Sequence, residues 1–342
     1  MFAPRPLPRT LEASVRDLSS EKASVRASAL VDLVRHASLD EGVRARAIPM
    51  LEKALSDAAA EVRSAAAVGL ADVRGKEALP ALLVAMEDVN VHTRQMAINA
   101  LGEIGDVRAA PRLRRALADE RPEVRYQSVI AMTRVIKDDA DDVRAVLLVA
   151  LGDPDDSIRY IALRLAEERL DQGDTKTTAT LAERAMERLS DDARHVALAA
   201  AIFLAKLGNE AGRARVLRVI EGQAPGGKAE REDEREAVEL AGVLGMREAI
   251  PALERRAWGV TRLVKDTCAW NAKIALARMG HARATDEILR DLSSTRKAQR
   301  EAAVVAAGRA RIAKARPAIL AMTDLDAALV TDALAALDEP AR

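Results

Sequence analysis

"DERPEVRYQSVIAM", residues 119–132, decides the fold once its neighbours are laid beside it. It runs from an acid through a proline to Val-Arg-Tyr and an apolar run, and alone it could be half of a chemical site. Its Asp and Arg recur in phase. Asp57, Asp88 and Asp119 are 31 residues apart, and Arg63, Arg94 and Arg125 keep that step, as do Pro49, Pro80 and Pro111. Asp153 and Arg159 continue the series after a step of 34, and in all four pairs the Asp precedes the Arg by six residues. A period of this length is the signature of a repeat array.

Each period reads as two helices. "LPALLVAMED" and "APRLRRALAD" carry apolar residues at helical spacing, with Pro in the first turn, where a missing N–H costs little. A turn bearing the Asp follows, and the second helix opens near the Arg. The third, fourth and seventh residues after each Arg are small or apolar: Ala66, Ala67 and Leu70; Ala97, Ile98 and Leu101; Ser128, Val129 and Met132. That stripe predicts a helix with one buried face. Gly75, Gly102 and Gly105 punctuate the exits as helix C-caps do.

Composition agrees with closely packed helices. Of 342 residues 49% are hydrophobic and only 2% aromatic, so the core is built from Ala, Leu, Val and Ile. Lys plus Arg and Asp plus Glu are 53 each, and no global charge draws the chain to nucleic acid or a membrane. Cys268, the sole cysteine, excludes an intramolecular disulfide and disfavours a cysteine-based zinc site. "MFAPRPLPRT" lacks the apolar stretch of a signal peptide, and no run of about 18 apolar residues could span a bilayer. The expectation is a cytoplasmic chain without membrane insertion.

"DVRAAPRLRRALADERPEVRYQSVIAMTRVI" resembles a HEAT repeat of the short, phycobilisome-lyase type. That pattern has Pro in the first helix, Asp in the turn, Val-Arg opening the second helix and Leu-Gly-x-x-Gly closing it. The resemblance is strong over 39–170. "VRASALVDLV" before it, and "FLAKLG", "AGVLGM", "IALARMG" and "VVAAGRARI" after it, look like further second helices. About ten units of roughly 34 residues follow. The expected fold is all-α, a right-handed superhelical α-solenoid over 1–342, since one helix pair cannot bury its stripe alone. The resemblance implies second helices on the concave face. Within the array, 1–170 reads as regular repeats, 171–220 as less regular, 221–236 as an enlarged charged loop or hinge, and 237–342 as basic, divergent repeats. The Ala- and Arg-rich composition points to a bacterium.

The recurring Asp–Arg pairs predict an interlocking ladder, since catalysis needs one set and stacking needs one per unit; a guanidinium fork suits a turn crowded with acceptors. The residue after each Arg is the better functional candidate: Ser64, Gln95, Tyr126, Tyr160 and His195 in successive units, followed one turn on by Asn99, Ile130 and Arg164. Both Tyr of the chain share this position, and Tyr and Arg are favoured interface anchors. The predicted partner-binding set is Gln95, Asn99, Tyr126, Ile130, Tyr160, Arg164 and His195, facing a protein. Residues 255–316 hold 15 Lys and Arg against 5 Asp and Glu, whereas 138–156 hold 7 Asp and 1 Arg. Nucleic acid on the basic stretch, near Trp258 and Trp270, is the second reading, an acidic protein partner another.

No catalytic constellation emerges. His36, His92, His195 and His281 lie in separate units without metal-ligand spacing, unlike the dimetal hydroxylases built on similar repeats. "APGGKAE" has the wrong spacing for a phosphate loop, and no serine sits in a nucleophile elbow. Cys268 reads as a small core residue. The sequence therefore predicts a non-catalytic scaffold or adaptor without cofactor or metal, in a bacterial signalling or regulatory assembly; a DNA-repair protein of similar architecture is the alternative, and nothing marks a bilin site.

Overall fold

The computed structural model describes residues 8–73, 75–224, 227–228, 231–259 and 268–338. Among them are twenty α-helices, most of which pack in consecutive pairs. The first unit of contact is Met1–Arg184 and the second Ala185–Arg342. Each is an all-α solenoid of stacked helix pairs. None of the described helices is long and apolar enough to cross a membrane.

In Met1–Arg184 the second helices are α2 (Ala23–Ala37), α4 (Ala60–Asp72), α6 (Val91–Ile104), α8 (Pro122–Val135) and α10 (Asp156–Asp171). They pack one on the next in that order, forming a continuous layer. The first helices α1 (Leu11–Asp17), α3 (Glu41–Ala54), α5 (Leu79–Ala85), α7 (Ala110–Ala116) and α9 (Ala140–Ala150) each pack on their own second helix. The helix α11 (Thr175–Arg188) carries the division between the two units of contact. In Ala185–Arg342 the layer is α12 (Arg194–Lys206), α14 (Arg231–Val243), α16 (Ala269–Arg278), α18 (Lys297–Arg309) and α20 (Ala327–Asp338). Their companions are α13 (Glu210–Ile220), α15 (Ile250–Trp258), α17 (Ala282–Asp291) and α19 (Arg316–Leu320).

The stripe predicted from the Arg positions is the core. Ala66, Ala67, Leu70, Ala97, Ile98, Leu101 and Met132 are fully buried, and Ser128 joins them by donating its hydroxyl to Val124 O within α8 at 2.8 Å. Small residues let the layer close up. A Cβ on Gly102 of α6 would lie 2.8 Å from Ala131 Cα of α8, inside any real contact. Gly102 is therefore a packing residue within α6, not a cap; Gly105, at φ 67, ends that helix. Gly75 closes the exit of α4 by donating its N–H to Leu70 O at 3.1 Å, but at a φ of −75° it is not left-handed and opens the 3-10 turn Lys76–Ala78.

Pro80 and Pro111 sit in the first turns of α5 and α7, each after a short 3-10 turn. Pro49 differs: α3 starts at Glu41, capped by Asp40, and takes the proline into its interior. The charged stretch 221–236 forms a two-residue antiparallel pairing, Gln223–Ala224 with Gly227–Lys228, and then enters α14 at Arg231. Glu232, Asp233 and Glu234 occupy the first turn of α14, where the helix dipole favours acids. Residues 225–226 and 229–230 of that stretch, 260–267 of the basic region and the first seven of the N-terminal segment lie outside the described residues.

Candidate partner-binding face

The face is held in place by the Asp–Arg ladder, whose geometry is more specific than the spacing predicts. Arg26 donates its fork to Asp57 at 2.8 and 2.6 Å, Arg63 to Asp88 at 2.6 and 2.7 Å, and Arg125 to Asp153 at 2.8 Å twice. Each carboxylate belongs to the next unit. The remaining nitrogen, Nη1, turns back to the Arg's own turn: Arg63 reaches Asp57 O at 2.9 Å, and Arg125 reaches Asp119 O at 2.9 Å. The same carboxylates accept the N–H two residues on, from Ala59, Asn90 and Asp155, at 2.8, 2.8 and 2.9 Å. One Asp thus closes its own turn and anchors the preceding unit.

Their acidity records this. Arg26 and Arg63 hold the Asp57 and Asp88 carboxyls below the usual range against the opposing effect of burial. For Asp153 burial is the largest influence and pushes upward, yet Arg125 and the Asp155 N–H together hold it low. The third rung is slack: Arg94 approaches Asp119 only to 3.8 Å, and its buried Nε has no hydrogen-bond partner among the described residues.

Six of the seven predicted site residues lie on three successive helices of this layer. Gln95 and Asn99 are on α6, Tyr126 and Ile130 on α8, Tyr160 and Arg164 on α10, and all six are half-buried. Gln95 donates its amide to Glu123 O at 3.4 Å, and Asn99 accepts from Gln127 Nε2 at 2.9 Å, so both also tie α6 to α8. Arg164 pairs with Glu167 one turn away at 2.9 Å. Ser64, which shares the repeat position, is buried against the Thr93 hydroxyl at 3.1 Å. His195 is exposed at the start of α12, in the second unit of contact.

Beside Ile130 a cleft of about 810 Å³ opens between the ends of α6, α8 and α10, with Ile161 and Leu165 on its wall and Glu103, Arg134 and Glu168 at its rim. Spacing from the arginine missed Ile161 and Leu165; their signal in the sequence is a pair of large apolar residues four apart on α10, beside the stripe of Ala162, Leu163 and Ala166. A second cleft of about 770 Å³ lies on α2 and α4, floored by Val31, Val34, Ala65 and Val68. Val31 is 64% exposed, a large apolar side chain open to a ligand or partner.

The other singled-out residues are engaged elsewhere. Trp258 Nε1 donates to Glu287 at 3.1 Å, with the Arg283 guanidinium 4.1 Å over its ring. Burial would raise Glu287, but Lys273, Trp258 and Arg283 hold it at about 2. His281 meets Glu254 at 3.0 Å, and His36 meets Arg9 O at 2.9 Å. Cys268 is buried before α16. Among the described residues no three His, Cys, Asp or Glu side chains are arranged to hold a metal ion.

Residues 48–133 match the HEAT repeats family. The solved structure of YibA from E. coli is 17% identical, covering 79% of this chain and 92% of its own, at a TM-score of 0.54. Kap95p in complex with RanGDP is 11% identical at a TM-score of 0.55, covering 96% of this chain and 50% of its own. The CpcE–CpcF complex of phycocyanin lyase from Nostoc sp. is 17% identical over 83% of this chain and 96% of its own, with a TM-score of 0.40. No curated protein matches the chain by sequence.

Proposed function

We propose that this chain, a stack of helix pairs of the HEAT-repeat kind with two half-buried tyrosines on adjacent helices of one layer, is a non-catalytic scaffold that captures a protein partner there. The observation that carries the reading is the placement of Tyr126 on α8 and Tyr160 on α10, each directly after a ladder arginine. The ladder spends its arginines on stacking and presents the next residue at a fixed height in each unit. Tyrosine there offers a large apolar ring with a polar tip at low entropic cost, which suits an interface anchor. Ile130, Ile161 and Leu165 add apolar surface beside it.

The mechanism is presentation. A row of moderate contacts along packed helices gathers affinity without an enclosed pocket, and the concave side of the solenoid is the side we assign to it. Gln95 and Asn99 contribute by fixing α6 against α8 as much as by touching the partner, and Arg164 supplies the charged end of the row. Kap95p, a solenoid of similar fold, binds the protein RanGDP, which supports a protein as the partner class. A cytoplasmic bacterial signalling or regulatory assembly is the setting we assign.

The test is affinity capture from the native host with mass spectrometry, comparing the wild type with the Tyr126→Ala, Tyr160→Ala double variant. The double variant is expected to lose the captured partner while keeping its far-ultraviolet circular dichroism. Undiminished capture overturns the assignment of this face.

A further inference from the structure

The helix α4 carries a second stripe besides its buried one. Glu61, Ala65, Val68 and Asp72 follow at i, i+4, i+7 and i+11, so they share one face. The two acids stand about 16 Å apart along the helix, with the apolar residues between them. That face is open: Glu61, Val68 and Asp72 are exposed and Ala65 is half-buried. On the neighbouring α2, Val31 stands five residues after Arg26, as Val68 does after Arg63. The two valines floor the cleft of about 770 Å³ between these helices, and they hold the same repeat position as Asn99, Ile130 and Arg164.

The titratable lining of the cleft is Glu61, Asp72 and Arg35, with His92 from the start of α6. Arg35 is engaged by groups outside the lining: it donates to Arg9 O at 2.8 Å and lies 3.5 Å from Asp32. Neither Glu61 nor Asp72 has an ion pair or a side-chain hydrogen bond among the described residues.

The two acids differ in what the helix makes of them. Glu61 sits in the first turn of α4, where the dipole favours an acid. Asp72 is the last residue of that helix, where the dipole opposes it, and the last turn holds no basic residue. Partial desolvation and the nearby Glu103 carboxylate also push the Asp72 carboxyl up, and Glu103 is itself engaged by Arg134. Asp72 thus costs stability where it stands, and an acid so placed is suited to a cation from outside the chain.

We propose that this cleft docks a basic amphipathic helix of a protein partner, with lysines or arginines toward Glu61 and Asp72 and apolar side chains on Val31 and Val68. The complement of acid–apolar–apolar–acid along α4 is base–apolar–apolar–base at the same spacing, and a helix laid in a groove presents its anchors in that way. The acids set register and select against acidic segments, and the valines supply apolar contact. Docking here rests on the same layer serving as the partner-binding side, and it adds the chemistry of the segment bound at α2 and α4.

The test is isothermal titration calorimetry on the full chain with a capped, helix-stabilised alanine-based peptide that carries lysine at both ends and two leucines at the matching spacing between them. Saturable binding is expected, with a peptide bearing glutamate in place of lysine weaker by about tenfold or more. Asp72→Asn separates folding from binding. Its melting temperature is expected to hold or rise, because the unfavourable charge is gone, while peptide affinity falls about tenfold. Val31→Ser, at an exposed position, is expected to weaken binding about fivefold. The Tyr126→Ala, Tyr160→Ala double variant is altered outside this cleft and is expected to bind the peptide as wild type does. Loss of the captured partner at the tyrosines and loss of the peptide here are thereby read apart. Wild-type affinity in Asp72→Asn, equal binding of the glutamate peptide or of spermine, or no saturable binding of the lysine peptide overturns the docking site. So does loss of the peptide in the double tyrosine variant, which places it elsewhere, or self-association that Asp72→Asn abolishes in sedimentation, which seats a second copy of the chain in the cleft.

Discussion

Arg125→Ala removes a fully formed rung of the ladder, and its cost can be worked from the contacts. The variant loses two fork bonds to Asp153 at 2.8 Å and two bonds to the carbonyls of Asp119 and Glu120 at 2.9 and 3.2 Å. The paired side chains are only 13% and 11% exposed, so Asp153 is left as a largely buried charge with the Asp155 N–H as its remaining donor. Breaking such a pair costs about 3 kcal/mol, the lower end of the range for a buried pair because that N–H stays. Arg94→Ala provides the internal control. Its pair stands at 3.8 Å and its guanidinium makes one carbonyl bond, to Asp88 at 2.9 Å, so about 1 kcal/mol is expected. Urea titration followed by circular dichroism should therefore place the Arg125 variant well below the Arg94 variant. The pH dependence has a definite sign. Asp153 is held below its usual value, so its pairing contributes above about pH 4 and is lost as pH falls further. The gap between wild type and Arg125→Ala should narrow in acid. Equal losses in the two variants, or a gap that persists unchanged into strong acid, would refute the rung as a buried, neighbour-directed ion pair.

Two further outcomes follow from the packing and the second unit of contact. Gly102→Ala forces a Cβ to 2.8 Å from Ala131 Cα and should cost about 1–3 kcal/mol, more than Gly105→Ala, which meets nothing within 4 Å and bears only the penalty of φ 67, about 1 kcal/mol. Urea midpoints of the two variants decide this, and a larger loss at Gly105 counts against close approach of α6 and α8. Lys273→Met removes the cation 2.6 Å from Glu287, whose carboxyl sits at about 2. The stability that this pairing contributes is present above about pH 4 and lost as pH falls toward 2, so wild type should exceed the variant at neutral pH and converge on it in acid. Thermal melts across that range check it; a constant difference at every pH would show that Lys273 acts through packing alone.

The fold was legible because its repeat is carried by burial. Ala97, Ile98 and Leu101 are spaced for one helix face, and a buried face tolerates few substitutes. The direction of the ladder was not legible. Asp119 and Arg125 are six residues apart, which leaves a partner in the same or a neighbouring unit equally open, and the carboxylate Arg125 grips is Asp153, 28 residues on. Only stacked coordinates reveal that the local bond goes to a carbonyl. Gly75 and Gly105 look alike in sequence, but just one takes a positive φ. The stretch 221–236 reads as an enlarged charged loop or hinge, although from Arg231 on it is the first turn of α14, where acids are stabilising. For the candidate face, the position after each arginine was recognisable as lying off the buried stripe. The bridging role of Asn99 was not, because its partner Gln127 is set by the register between two helices.

The rungs Arg26–Asp57, Arg63–Asp88 and Arg125–Asp153 all run from one unit to the one after it. Each unit therefore has two unlike ends, a plug and a socket, and it cannot be turned around in the stack. A gene duplication that inserts a whole period re-forms a matched joint on both of its seams. One that inserts a fraction of a period strands a guanidinium at one seam and a carboxylate at the other. The chemistry of a single turn thus sets the step by which such a chain can lengthen or shorten.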